Sequence, residues 1–194
     1  MQFVAPEDLA RANFYGLIAR LFYAAPDGQL ISELRHATPM EGEGALASAW
    51  RELVSLCAHS FPVALENEHT ELFVGTGKAE VTPYLSHYVL RHSSDAPLVQ
   101  LRGQLAAWKI ARREGVPEYE DHVSAVFETM RLIVAVQQRS QGDQKEFFER
   151  FVYPGSVAFC DAVGASQNAR FYVPVAAFTR AFLEIEKAAF EIEG

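Results

Sequence analysis

Cysteine is scarce in this chain of 194 residues, and the two present, Cys57 and Cys160, stand about a hundred residues apart with no Cys-x-x-Cys spacing. That spacing argues against a disulfide framework and against a zinc knuckle, and leaves buried thiols as the expectation. Positive charge is also short. Seventeen Lys and Arg against 25 Asp and Glu give a formal charge of −8, which repels phosphate backbones and favours a cationic partner over nucleic acid. No apolar run reaches membrane-spanning length, and the opening MQFVAPEDLA carries two acids and no positive side chain. The expectation is a soluble cytoplasmic protein with no membrane insertion. Internal repeats, low-complexity tracts and Gly/Ser linkers are missing as well, so a single domain is expected.

Large apolar side chains, in contrast, are plentiful. Hydrophobic residues make up 49% of the chain, with 14 Phe, 7 Tyr and 2 Trp. At this length roughly 70% of the unfolded surface can be buried, so folding needs no staple. The apolar positions recur with helical period. Phe14, Leu17, Ile18, Leu21 and Phe22 share one face of a helix whose first turn suits Pro6-Glu7-Asp8, and Pro26-Asp27-Gly28 breaks it. Leu46, Trp50, Leu53, Val54 and Cys57 mark a second helix ending near Pro62, and Leu65, His69, Leu72 and Phe73 a short third. After a loop at VGTGKAEVTP (74–83), the run YLSHYVL fits a short helix or a strand. Pro97 opens a helix with Ser94 or Asp95 as cap and Leu98, Leu101, Leu105 and Trp108 inward. Lys109, Arg112 and Arg113 are expected near its C-terminus, and Gly115 with Pro117 should end it. The next helix takes Asp121 as N-cap or first-turn acid and runs to about Gln138 along Val123, Val126, Phe127, Met130, Ile133 and Val134. Two short helices broken near Pro154-Gly155 follow, and a long one opens around Pro174. The fold class expected is an all-α bundle of about eight to ten helices. Its N-terminal helices (1–113) and C-terminal helices (122–194) would meet at a hinge over residues 114–121.

Three features invite chemistry. GTGK (75–78) resembles a phosphate loop, but that motif needs a glycine where Leu72 stands and Ser or Thr where Ala79 stands, so a tight turn is expected. Glu33-x-x-His36 and Glu66-x-x-His69 spell the pair that di-iron bundles project inward, which keeps open a metal-dependent helical oxidoreductase. Yet Glu33 sits in a short segment between breakers, and chance pairing on solvated faces explains both matches. The sharpest cluster is EYEDHVSAVFETM (118–130), where three acids and a histidine precede an apolar helix. General acid–base work there needs a nucleophile or second base that no nearby motif supplies. A capped helix start facing the basic Lys109–Arg113 turn accounts for the same residues. So does the acidic lip of a binding groove.

In company, these residues resemble the TorD/DmsD/NarJ family of redox-enzyme maturation chaperones, closest to its TorD-like branch. That family carries Glu-x-x-Asp-His followed by an apolar helix with a late Met, matched by Glu118, Asp121, His122 and Met130. Its upstream Leu-Phe-x-Gly-x-Gly…Pro-Tyr-x-Ser-x-Tyr block is matched by Leu72, Phe73, Gly75, Gly77, Pro83, Tyr84, Ser86 and Tyr88, and its closing helix by FYVPVAAFTRAFLEIE. Tyr119, His69, Phe151 and Gly155 depart from the pattern, standing where a proline, an aromatic, a His and a Trp are expected.

The resemblance implies a chaperone without catalytic residues or cofactor. It would hold a molybdenum-cofactor oxidoreductase catalytic subunit and bind that client's twin-arginine signal peptide. A helical scaffold subunit that binds only a folded partner is the remaining alternative. For the peptide, an acidic rim is expected from Glu118, Glu120 and Asp121, beside Tyr119, with His122 as a hydrogen-bonding organiser. Val123, Phe127, Tyr84 and Tyr88 would supply the apolar floor or the wall behind it. The chain would act as a monomer or as a dimer exchanged across the hinge.

Overall fold

The computed structural model describes residues 4–75, 77–89, 96–112, 115 and 117–192. Among them it is all-helical: α1 (Pro6–Tyr23), α2 (Gly28–Arg35), α3 (Ala45–Cys57), α4 (Pro62–His69), α5 (Ser86–Val89), α6 (Pro97–Ala107), α7 (Val123–Arg131), α8 (Gln141–Phe147), α9 (Tyr153–Ala165) and α10 (Tyr172–Ile192). Proline at the first turn of α1, α4 and α6 starts each helix where a missing N–H costs nothing.

One contiguous core draws on both sides of residues 114–121. α1 packs along α7, and α10 packs on α9 and α3. Tyr15, Ile18, Leu21 and Phe22 of α1 meet Val123, Val126, Phe127 and Met130 of α7 and Phe178, Phe182 and Leu183 of α10, all buried. Burying each such side chain contributes about 1.5–3 kcal/mol. An ion pair seals its carboxylate within this packing. Arg11 donates to both oxygens of Glu186 (Nε to Oε1 2.9 Å, Nη2 to Oε2 2.9 Å), and the Tyr15 hydroxyl donates to Oε2 at 2.7 Å. Arg11 also donates to Gln144 and Asp8, which ties α1 to α8 and α10.

Among the described residues, three single π turns shape the bundle, extending α4 (Thr70–Val74), extending α7 (Leu132–Val136) and joining α8 to α9 (Phe148–Val152). The last corrects the expected break at Pro154. A π turn widens the backbone just before the proline, so neither its ring nor its missing N–H interrupts the path. α6 also ends earlier than Gly115. Lys109 adopts φ 55° after Ala107, and Ile110 N–H returns to the Leu105 carbonyl at 2.9 Å while Lys109 N–H returns to Ala106 at 3.0 Å, which closes the helix. The expected caps Ser94 and Asp95, together with Leu90, Arg113, Glu114 and Val116, lie outside the described residues.

Candidate functional site

The site begins where two irregular segments meet. The π turn after α4 stops at Gly75, whose φ of 65° and proximity to Lys78 require glycine: a Cβ there would stand 2.2 Å from the Lys78 carbonyl oxygen. Gly75 and Lys78 thus lie close together, as a tight turn requires, and Thr76 lies outside the described residues. The chain then runs through Val81–Leu85 alongside the segment entering α7. Tyr84 and His122 form an antiparallel bridge, with Leu85 N–H donating to the Asp121 carbonyl (2.9 Å) and Val123 N–H to the Pro83 carbonyl (2.8 Å). YLSHYVL is therefore neither of its two expected elements alone, but one bridge residue followed by the single turn α5.

Successive side chains leave a bridge on opposite sides. Tyr84 and His122 face a cavity of about 670 Å³, while Leu85 and Asp121 face a separate space of about 20 Å³. The larger cavity has apolar and aromatic walls from Tyr23, Phe73, Val74, Val81, Pro83, Tyr88 and Ala162. Glu118 is the carboxylate of its wall nearest the bridge. The Tyr84 hydroxyl donates to Glu118 Oε2 at 2.5 Å, and the described residues offer no second side-chain donor to this carboxylate. Burial and then the bond and charge of Glu118 push the Tyr84 hydroxyl well above its usual range, so it remains a donor. Tyr88 donates to the Thr82 carbonyl at 2.9 Å, and burial raises its hydroxyl to about 12.

His122, and not Asp121, caps α7. Its Nδ1 accepts from Ser124 N–H at 3.2 Å and lies 2.7 Å from the Ser124 hydroxyl. A backbone N–H can only donate, so Nδ1 holds the lone pair and the neutral ring carries its proton on Nε2. Burial depresses this imidazole to about 4. The carboxylate of Glu118 opposes the shift, nearby His69 deepens it, and Asp121 opposes it. A ring that stays neutral and acts as a cap is a positioning group. Asp121 was displaced from the cap because its side chain turns away from α7. It is 5% exposed, accepts the Ser86 hydroxyl on Oδ2, and leaves Oδ1 without a partner among the described residues.

The expected site residues thus divide. Glu118, Tyr84, Tyr88 and His122 line one cavity. Tyr119 stands at its edge, 55% exposed, with its ring 6.0 Å from that of Tyr84. Glu120 pairs with Arg102 (2.9 Å) outside the cavity, and its carboxyl sits below the usual range. Burial there is outweighed by its own N–H, by the Arg102 bond and by the charges of Arg102 and Arg112. Asp121 lies behind the bridge, and Val123 and Phe127 are wholly buried, so none of the three lines the cavity. Sequence reasoning did not assign Tyr23, Val74, His87 or Ala162 to the site, and none carries a motif that could have placed it there. His69 and Phe73 sat in recognised patterns, and their period marked them as a helix face without showing which void that face would border.

Other chemistry finds little support. Burial, modified by Arg35, raises the Cys57 thiol to about 11, and burial with Asp161 raises Cys160 to about 12 against Arg180, which favours protonated thiols. Glu33 is held by Gln29 and Arg20, and His36 bonds its own helix at Ser32. Glu68, within the second Glu-x-x-His pair's span, accepts the N–H groups of Arg170, Phe171 and Tyr172 at the start of α10. Among the described residues no three His, Cys, Asp or Glu side chains gather as a metal site needs, and no helix is long and apolar enough to cross a membrane.

No match to a curated protein was found. The family model described as nitrate reductase delta subunit matches residues 41–161, a stretch that holds α3 to α8, the first nine residues of α9 and both segments of the bridge. The chain belongs to this nitrate reductase delta subunit family, the NarJ/TorD-type chaperones of molybdoenzyme assembly.

Proposed function

We propose that the protein is a cytosolic chaperone that binds the twin-arginine signal peptide of a molybdenum-cofactor oxidoreductase and holds the apoenzyme until its cofactor is inserted. The observation that carries this reading is the placement of the Glu118 carboxylate, anchored by Tyr84, in the wall of a cavity of about 670 Å³ whose lining is mostly apolar and aromatic, with Lys78 and Glu80 as its other charged residues. A leader of this kind joins an arginine pair to an apolar segment. The apolar part gains affinity by burial, and a charge-assisted bond from one guanidinium to Glu118 fixes its register. Residues 114–121 serve as the hinge between helices 1–113 and 122–194, with the Tyr84–His122 bridge as the clasp that positions Glu118 over the cavity.

The test is a titration of a labelled twin-arginine leader peptide against wild type, Glu118→Gln and Tyr84→Phe, each checked for folding. Wild type should bind, Glu118→Gln should weaken binding about ten-fold, and Tyr84→Phe should weaken it less. Equal binding by wild type and Glu118→Gln removes the cavity from the reading. A scaffold role would be favoured by capture of leaderless client with no measurable affinity for the peptide.

A further inference from the structure

Outside the cavity, the same segment carries a second arrangement that recognises a guanidinium. Tyr119 presents an exposed ring, and the Arg102 guanidinium carbon lies 5.8 Å from its centroid. Arg102 Nε donates to Glu120 Oε2 at 2.9 Å. An aromatic face beside a carboxylate suits a planar, delocalised cation better than an ammonium, because the guanidinium stacks and forks together. Arg112 adds a second contact from the same chain, donating to the Glu118 carbonyl at 3.0 Å. The position of this arrangement matters as much as its chemistry. Tyr119 adjoins Tyr84, so the guanidinium site borders the rim of the cavity whose wall holds Glu118.

We infer that Tyr119 and Glu120 form a second guanidinium subsite of the peptide-binding surface, occupied in the free protein by Arg102 and vacated when an arginine of the guest replaces it. The inference rests on the reading of the cavity as a peptide site. Arg102 is a suitable placeholder because its side chain remains 47% exposed and makes one direct bond to Glu120. A free cation cannot easily displace it, since an intramolecular partner has no association entropy to lose. A guest already anchored by apolar burial in the cavity presents its arginine at comparable effective concentration, and exchange becomes possible. Arg102 then acts as a specificity-determining residue: it penalises every guest that uses the subsite by the same factor, and a guest must bring both an apolar anchor and a guanidinium to overcome it.

The experiment uses the full chain and a labelled peptide with two adjacent arginines ahead of an apolar segment, plus two versions with either arginine replaced by glutamine. Arg102→Gln should tighten the two-arginine peptide about two- to five-fold, the scale of an exposed ion pair. It should leave unchanged the one-arginine peptide whose missing side chain is the subsite's. Glu120→Gln should abolish that gain in the double variant, and Arg102→Lys should fall between. Arg180→Gln, which removes a remote charge, should not reproduce the effect. A second readout is independent of affinity: the Arg102 Nε–H resonance should move, on saturation with peptide, toward its position in Glu120→Gln. An unmoved resonance, or an equal gain for all three peptides, overturns the inference. If wild type binds the two-arginine peptide and Arg102→Gln matches it, the subsite alone falls. If neither binds, the peptide-site reading falls and takes the subsite with it.

Discussion

Arg11 and Arg102 each give a guanidinium to a carboxylate, yet one pair seals its carboxylate between helices and the other sits on a rim. Arg11 meets Glu186, whose side chain is 3% exposed, through two parallel bonds, with Tyr15, Gln144 and Asp8 satisfying what remains. Arg102 meets Glu120 through one bond beside an exposed ring. A buried carboxylate deprived of its partner has no water to turn to, so the first arrangement holds the helices in place. In the second, both groups keep access to water, so parting them costs little and an arginine of an anchored guest can take the partner's place. The same chemistry therefore serves as a staple in one region and as an exchangeable contact in the other.

The largest expected effect breaks the staple. Arg11→Ala leaves Glu186 buried among apolar side chains and should destabilise the fold by about 3–5 kcal/mol, read as a lowered denaturation midpoint. Peptide affinity of the remaining folded protein should not change. If Arg11→Ala unfolds no more easily than Arg102→Ala, the contrast between the regions is wrong.

Acid should weaken the site through His122. Its imidazole is held near 4 when folded and titrates near 6.5 when unfolded, so below about pH 6.5 the unfolded chain binds the extra proton first. The stabilisation is thus complete above about pH 6.5 and is lost as pH falls toward 4, a change on the order of 3 kcal/mol. His122→Asn keeps an N-cap acceptor without the titration. Its unfolding free energy should fall less than that of wild type between pH 7 and 4, and parallel curves for the two would remove His122 as the source.

A smaller loss is expected where Glu68 gathers three backbone N–H groups at the start of α10. Glu68→Ala leaves donors at a helix start without an acceptor and should cost about 1–3 kcal/mol in denaturant unfolding. Glu68→Gln, which keeps a carbonyl acceptor, should recover part of it. Full stability in Glu68→Ala would mean that water reaches these donors.

Much of the bundle was legible because a helix face repeats in sequence. The stripe from Val123 to Met130 is buried as its spacing predicts, and Phe14 to Phe22 faces the core. Proline and glycine were less reliable punctuation. Pro154 did not break the chain because a π turn absorbed it, and Lys109 ended α6 in a conformation that its residue type does not announce. At the site, the cluster 118–122 was visible as composition, but the side each acid faces was not. That side is set by the bridge to Pro83–Leu85, a contact between distant parts of the chain with no local signature. The bridge sends Glu118 and His122 to the cavity and Asp121 behind it, so one run of acids takes up different roles. Tyr23 joins the cavity only through tertiary packing, which no pattern within α1 encodes.

The smallest expected effect completes the comparison. Glu120→Gln removes the charge that Arg102 faces, but both groups keep access to water, with side-chain exposures of 47% for Arg102 and 22% for Glu120. Stability should fall by no more than about 1 kcal/mol, and the loss should shrink with added salt, because an exposed pair is screened where a sealed one is not. Unfolding of wild type and Glu120→Gln at low and high ionic strength measures this directly. A loss comparable to that of Arg11→Ala, and insensitive to salt, would show that the rim pair also staples the fold. Arg102 would then be too firmly held to yield its place to a guest.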